Sequence, residues 1–278
     1  INNKFDWFPD GRINVSFNCL ETNIKKGLGK KNALICIDKN FKIKSYTYDQ
    51  LLNLVENLSF YLKKKLLKIP NPTVVLQSSA GLNTSIFMLA CARIGVRFSI
   101  IFEDLPLTAV RTRILLLKPN LFFTVKNNLF ISNLNNSLKK LNIKCKVLKL
   151  CTSSKNTKNL VNFKKIANIK KHKHNIKFFK SNKSLFVLFT SGSTGTPKGI
   201  EHGMGGYLLY SKYTTKKQFG LDSKSKFLCA SDAGWINGHT YSIFGPLSLG
   251  STTIILNSPM MILNEQLLKT VIKKFKIT

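Results

Sequence analysis

The stretch LFVLFTSGSTGTPKGI, residues 185–200, places five apolar or aromatic residues ahead of a run of Thr, Ser and Gly, then Pro197 and Lys198. In a chain crowded with lysine and asparagine, neither interrupts it before Lys198. The apolar run has the length of a buried strand, and the small residues read as a turn leaving that strand. In an open α/β sheet, ligands bind just outside the carboxyl ends of strands. Gly192, Gly195 and Gly199 allow a backbone path with positive φ. Along such a path successive N–H groups converge into a nest for an anion. Thr190, Ser191, Ser193 and Thr194 add hydroxyls, which can also ligate magnesium on a phosphate, and Lys198 adds a full charge. A mobile polyphosphate needs this mixture. The competing reading is an ordinary Ser/Gly surface turn; the ordered run from Thr190 through Pro197 and Lys198 weighs against it. Two familiar loops fail on spacing, since neither G-x-x-x-x-G-K-[ST] nor G-x-S-x-G occurs.

Outward from this loop, apolar runs alternate with segments of helical period. ALICID (33–38) and KIKSYTY (42–48) read as strands, and residues 48–66 as a helix with Asp49 in its first turn. TVVLQ (73–77), RFSIIF (97–102) and LFFTV (121–125) read as strands, separated by helices over 82–94 and about 108–117. Residues 126–184 are rich in Lys, Asn and Ser, with CKVLKLC (145–151) as their one plausible strand. The pattern resumes at 185–189, with helices over 205–217 and 238–248, strands at 226–231 and 252–256, and a helix beginning near Met261. Strand and helix in alternation predict an α/β fold of mostly parallel sheets covered by helices. The predicted division is an N-terminal segment (1–32), a first α/β subdomain (33–151), a Lys/Asn-rich connection (152–184) and a second α/β subdomain carrying the loop (185–278).

The 278 residues carry 44 Lys+Arg against 12 Asp+Glu, a formal net charge of +32, with 44% hydrophobic residues. Such a charge suggests nucleic acid or an anionic surface. Only five of these cations are arginine, the residue suited to bidentate reading of phosphate and guanine. The lysines are dispersed along the chain, which favours solvated surfaces, with non-specific polyanion binding at low salt. The six cysteines are scattered with no C-x-x-C, which points to free thiols in the cytoplasm or another reducing compartment. His172 and His174 lie in a lysine run that repels a cation, so no metal site is expected there. No signal peptide is visible behind Ile1. Residues 85–102 are interrupted by Arg93, Gly95 and Arg97 and read as helix then strand rather than a membrane span.

TSGSTGTPKG (190–199) resembles the phosphate-loop signature of acyl-adenylate-forming enzymes. WFPDGRINVSFNCLE (7–21), MLACARIGVRFSIIF (88–102), HGMGGYLLY (202–210) and ASDAGWINGHTYSIFGPLSLGSTTII (230–255) are similar to the acetyl-CoA and propionyl-CoA synthetase type. The resemblance spans residues 5–260 and implies an AMP-forming acid–thiol ligase. ATP with Mg²⁺, coenzyme A and a small carboxylic acid would be its cofactors and substrates, with no membrane partner. It implies that Thr190 and Lys198 act in catalysis, and that Thr190, Ser191, Gly192, Ser193, Thr194, Gly195, Lys198 and Gly199 hold the nucleotide phosphates. It implies that Trp235, Ile236, Asn237, Gly238 and His239 lie beside the acyl pocket and thiol tunnel. Asn237 stands where the family has Thr or Val, and EDLP (103–106) replaces a glycine-rich turn. The stretch 125–136 lacks the arginines that hold the nucleotide end of coenzyme A. Asp232 and His239 could be read as a proton-transfer pair, but scaffolding roles are preferred, because adenylation needs no general base. His202 is given a packing role.

The family's adenine-binding turn, acidic magnesium ligand, ribose-binding aspartate and mobile domain with its late lysine have no counterpart within these residues. The chain is therefore expected to be an N-terminal portion with little or no turnover alone. Two other readings stay open: a truncated nucleotide-binding remnant without catalysis, and a basic nucleic-acid-associated protein.

Overall fold

A computed structural model describes residues 7–38, 40–151, 159–167, 175–190 and 195–277. The chain opens with β1 (Arg12–Ile13), α1 (Val15–Cys19) and α2 (Glu21–Asn23), then a wide helical turn at Ile24–Leu28. β2 (Asn32–Ile37) and β3 (Ile43–Thr47) form an antiparallel pair leading into α3 (Tyr48–Leu66). That helix starts with a capping box: the Thr47 hydroxyl accepts from the Gln50 N–H at 3.2 Å, and the Gln50 side chain accepts from the Thr47 N–H at 2.9 Å. Such caps stabilise by about 1 kcal/mol.

Next come β4 (Thr73–Gln77), α4 (Leu82–Ile94), β5 (Arg97–Ile101), α5 (Leu107–Leu117), β6 (Leu121–Thr124), α6 (Asn128–Lys140) and β7 (Lys146–Leu150). Two short elements, β8 (Leu160–Val161) and α7 (Phe163–Ala167), precede β9 (Phe179–Lys180). β10 (Ser184–Thr190) and β11 (Lys198–Gly203) make a hairpin ahead of α8 (Met204–Phe219) and β12 (Lys226–Leu228). α9 (Ile236–His239) continues through a wide turn at Thr240–Phe244 into α10 (Gly245–Leu249). The chain then runs through β13 (Thr252–Leu256), a short helical turn at Pro259–Leu263 and α11 (Glu265–Phe275).

The strands build a seven-stranded sheet in the order β11-β10-β5-β4-β6-β7-β8 and a four-stranded sheet in the order β12-β13-β2-β3. Each is parallel apart from one edge strand, β11 in the first and β3 in the second. β1 and β9 form a separate antiparallel pair. Alternation along the strands sorts side chains to the two faces. Val74 and Leu76 of β4 and Phe98 of β5 face α3 and α4, whereas Val75 and Phe122 face α5 and α6. In the second sheet Leu34 faces the central helices, whereas Ile35, Ile37 and Ile254 face α11. The result is five layers, helix–sheet–helix–sheet–helix. α4 sits in the middle, with Thr84 through Arg93 all buried. The charge on Arg93 is held by Glu21 at 2.5 Å and Glu56 at 2.8 Å.

The expected α/β fold with dominant parallel pairing is present. Four details differ from the sequence expectations. α6 lies in a Lys/Asn-rich stretch for which no helix was expected: Asn127 caps it through the Phe130 N–H at 2.9 Å, and Leu134 and Leu138, one turn apart, are buried beneath it. Residues 198–203 form a strand rather than only the end of a turn. The helix expected over 238–248 is divided, with a wide turn ahead of Gly245 and Pro246. The connection expected over 152–184 contains β8, α7 and β9, while 152–158 and 168–174, including His172 and His174, lie outside the described residues. β10 pairs with β5 and β13 with β2, so strands from before residue 151 and after residue 184 share each sheet. Among the described residues no helix is long and apolar enough to cross a membrane. None of the six cysteines is in a disulfide, and Cys19 and Cys91 are buried.

Candidate functional site

β10 runs parallel to β5 in register Phe186↔Phe98, and four residues further along each strand Thr190 and Phe102 come level at the carboxyl edge of the sheet. There β10 hands over to β11, whose first residue Lys198 pairs with Thr190. The Thr190 hydroxyl donates to the Lys198 carbonyl at 3.5 Å, and both residues are exposed. Of the expected phosphate-binding residues, this hairpin end gathers Thr190, Gly195, Lys198 and Gly199. Ser191, Gly192, Ser193 and Thr194 lie outside the described residues. Gly195 has φ +76, and a Cβ built on it would meet nothing within 4 Å, so its backbone borders open space. Gly199 instead lies tight on its neighbour strand: a Cβ there would come to 3.0 Å from Val187.

The second expected cluster reaches the same edge from another element. The Trp235 ring packs edge-on against Phe102 at 5.4 Å yet stays 60% exposed. Gly234 makes this approach possible, since a Cβ on it would come to 2.5 Å from the Phe102 ring. Ile236 and Asn237 are exposed beside Trp235, whereas Gly238 and His239 turn inward. His239 is 0% exposed, stacked on Phe98 at 5.9 Å and tilted against Phe186 at 4.6 Å. No hydrogen bond of ordinary geometry reaches either of its ring nitrogens. Burial lowers its pKa to about 3; the nearby Ala233 backbone opposes that drop and His202 adds to it. A buried imidazole of this kind packs the segment against β5 and β10.

No hydrogen bond joins Asp232 to that imidazole. The Asp232 carboxylate accepts from the Gly234 N–H at 2.8 Å and shapes the turn before Trp235. Burial raises its pKa, and the charges of Asp104 and Glu103 reinforce the rise. His202, from β11, also stacks on Phe186, at 4.7 Å, and burial lowers its pKa.

Two concavities flank these residues. A cleft of about 900 Å³ is lined by Trp7, Glu201, His202, Tyr207, Tyr210 and Ile236. Sequence reasoning had not gathered Trp7, Glu201 and Tyr210 around the candidate acyl wall, because they come from three separated elements. A smaller polar cavity of about 310 Å³ opens between the two sheets and is lined by Lys42, Lys44, Ser79, Gly81, Glu103 and Asn257. In it the Glu103 carboxylate accepts from the Ser79 N–H at 3.0 Å and from the Ser79 hydroxyl. Among the described residues no group of three or more His, Cys, Asp or Glu side chains could hold a metal ion.

The family described as AMP-binding enzyme matches residues 21–278. Acetyl-coenzyme A synthetase from Helicobacter acinonychis (strain Sheeba) is 32% identical over 272 residues, covering 92% of this chain and 40% of that protein. The chloroplastic/glyoxysomal acetyl-coenzyme A synthetase of Arabidopsis thaliana is 31% identical over 278 residues, covering 91% of this chain and 36% of that protein. The chain thus spans 36–40% of the length of these relatives. The structure of acetoacetyl-CoA synthetase from Streptomyces lividans superposes with a TM-score of 0.79 at 18% identity, covering 91% of this chain and 40% of that one, and so shares the fold. A strand-borne, glycine-rich hairpin end beside an aromatic wall, with a family match over nearly the whole chain, makes this chain a member of the AMP-binding enzyme family.

Proposed function

We propose that this chain supplies the ATP-phosphate loop and part of the acyl wall of an AMP-forming acid–thiol ligase for a short carboxylate, acetate or propionate. In that reaction a carboxylate oxygen attacks the α-phosphorus of ATP, pyrophosphate leaves, and the thiol of coenzyme A then displaces AMP from the acyl-adenylate. Thr190, the run Ser191–Gly195, Lys198 and Gly199 bind the β- and γ-phosphates and offset the charge that develops on the leaving pyrophosphate. The Thr190 hydroxyl would help to hold magnesium carried in with the nucleotide, which would supply charge to neutralise phosphate oxygens. Trp235, Ile236 and Asn237 border the acyl group and the path of the thiol, while Gly238 and His239 fix that segment against the sheet.

The observation that carries this reading is the meeting of two motifs at one sheet edge. Thr190 and Lys198 close a hairpin whose Gly195 faces open space, level with the Trp235–Phe102 contact. Thr190, Lys198 and Gly195 thus offer a hydroxyl, a cation and accessible backbone without competing side-chain bulk. The test is ATP binding to the 278-residue chain, together with acetate- or propionate-dependent ATP–pyrophosphate exchange by the whole protein. Lys198→Ala is expected to weaken ATP binding by about tenfold to a hundredfold, the worth of one charge-assisted contact. Unaltered affinity in Lys198→Ala and Thr190→Ala refutes the loop assignment. ATP binding without carboxylate-dependent exchange makes the protein a nucleotide-binding remnant.

A further inference from the structure

A separate cavity of about 300 Å³ lies at the opposite edge of the seven-stranded sheet, where β4 and β5 begin. Its wall is apolar: Phe60 and Leu66 from α3, Ile94 and Val96 at the end of α4, and Ile176 and Phe179 from the segment that crosses them. That segment is pinned by the Asn14 side chain, which donates to the Lys177 carbonyl at 2.9 Å and to the Arg93 carbonyl at 2.8 Å. Phe179 lies flush on Gly95, where a Cβ would come within 2.5 Å of the ring. The rim carries Lys63, Lys177 and Lys183, and no Asp or Glu lines the cavity. Among the described residues none of these three lysines is in an ion pair, whereas Arg93 is neutralised by Glu21 and Glu56.

α3 and α4 both end here, and their carboxyl ends oppose an anion. The last carbonyls of α4 are already taken, by the Gly95 N–H on Ala92 and the Val96 N–H on Cys91. Three ammonium groups therefore set the sign of the rim. A cavity of about 150 Å³ takes benzene, so twice that volume takes roughly twelve heavy atoms. We propose that this cavity binds a small amphipathic carboxylate, its chain of about ten carbons against the apolar wall and its carboxylate among Lys63, Lys177 and Lys183. It lies at the far ends of the strands from Thr190 and Trp235, so it is a second site and not the acyl pocket.

Calorimetric titration of the full chain with decanoate, below its micellar concentration, tests this. One equivalent is expected to bind, with decanol weaker by about tenfold or more, because it lacks the charge. The triple reversal Lys63→Glu, Lys177→Glu and Lys183→Glu changes exposed or half-exposed side chains and is expected to weaken binding by a similar factor. The same reversal at Lys273, Lys274 and Lys276, at the end of α11 on the outer face of the four-stranded sheet, is expected to leave it within about twofold, since solvent screens remote charge. Trp235→Ala is expected to have no effect. Equal affinity for decanol, undiminished binding by the rim variant, loss on Trp235→Ala, or absence of saturable binding each overturns the proposal.

Discussion

Acidification tests the packing of His239 directly. Its imidazole is fully buried between Phe98 and Phe186, with burial as the main cause of a pKa lowered from 6.5 to about 3. The folded-state pKa lies below the unfolded one, which fixes the sign. Above pH 6.5 the ring is neutral in both states and contributes no pH dependence. As pH falls below that point the unfolded chain takes up a proton that the folded chain refuses until about pH 3. Each pH unit in this window removes about 1.4 kcal/mol of stability, so a step from pH 7 to pH 5 removes about 2 kcal/mol. His202, half-buried against Phe186, acts in the same direction, while the raised pKa of Asp232 acts in the opposite one. The comparison is therefore between wild type and His239→Phe, which keeps the ring and removes the titration. Urea unfolding followed by the fluorescence of Trp7 and Trp235 supplies the stabilities. Wild type is expected to lose about 2 kcal/mol more than the variant between pH 7 and pH 5. Equal losses refute the claim that a neutral imidazole is clamped inside the core.

Two further substitutions probe the frame around the site. Arg93→Ala strips the cation from Glu21 and Glu56 inside the central helical layer, and is expected to destabilise by about 3–5 kcal/mol, measured by denaturant titration. A cost below about 1 kcal/mol would mean that those carboxylates reach water. Gly238→Ala places a methyl 2.2 Å from the Asp232 carbonyl oxygen and 3.0 Å from the Ala233 Cα, both backbone. Relief requires a shift of the turn that carries Trp235, with a cost of about 1–3 kcal/mol or more. Its signature is a lowered urea midpoint together with altered Trp235 emission as the ring leaves Phe102, and an unperturbed spectrum counts against the tight turn.

Local signals made most of the frame legible. Helical spacing over 48–66 and Asp49 in the first turn mark α3, and short apolar runs mark β4, β5, β6, β10 and β13. α6 escaped notice because its surface positions are asparagine, serine and lysine, although Asn127 as cap and Phe130, Ile131, Leu134 and Leu138 at helical spacing carry a readable amphipathic signal. β11 escaped for a different reason. KGIEHG has too few apolar residues to read as a strand, and its identity comes from six pairings with β10, which no local pattern contains.

The candidate site divides along the same line. Residue types alone are the ground for the proposed phosphate loop, since glycines, hydroxyls and one lysine carry that chemistry whatever lies nearby. Direction is another matter. Trp235 and His239 sit in one motif, the first expected beside the acyl group and the second preferred as scaffolding, and the first is 60% exposed and the second 0%. What separates them is not in the motif. Phe102 lies at the end of β5 and supports the Trp235 ring from beneath, while Phe98 and Phe186, on two adjacent strands, draw His239 inward. Parallel pairing of β5 with β10 brings those three rings together from positions far apart in the chain. A glycine at 234 and another at 238 then let the backbone approach close enough for the two side chains to go opposite ways. Within the proposed function, contact with the acyl group falls to the exposed Trp235, Ile236 and Asn237. Substituting His239 is expected to act through stability and the placement of that segment rather than through contact with substrate.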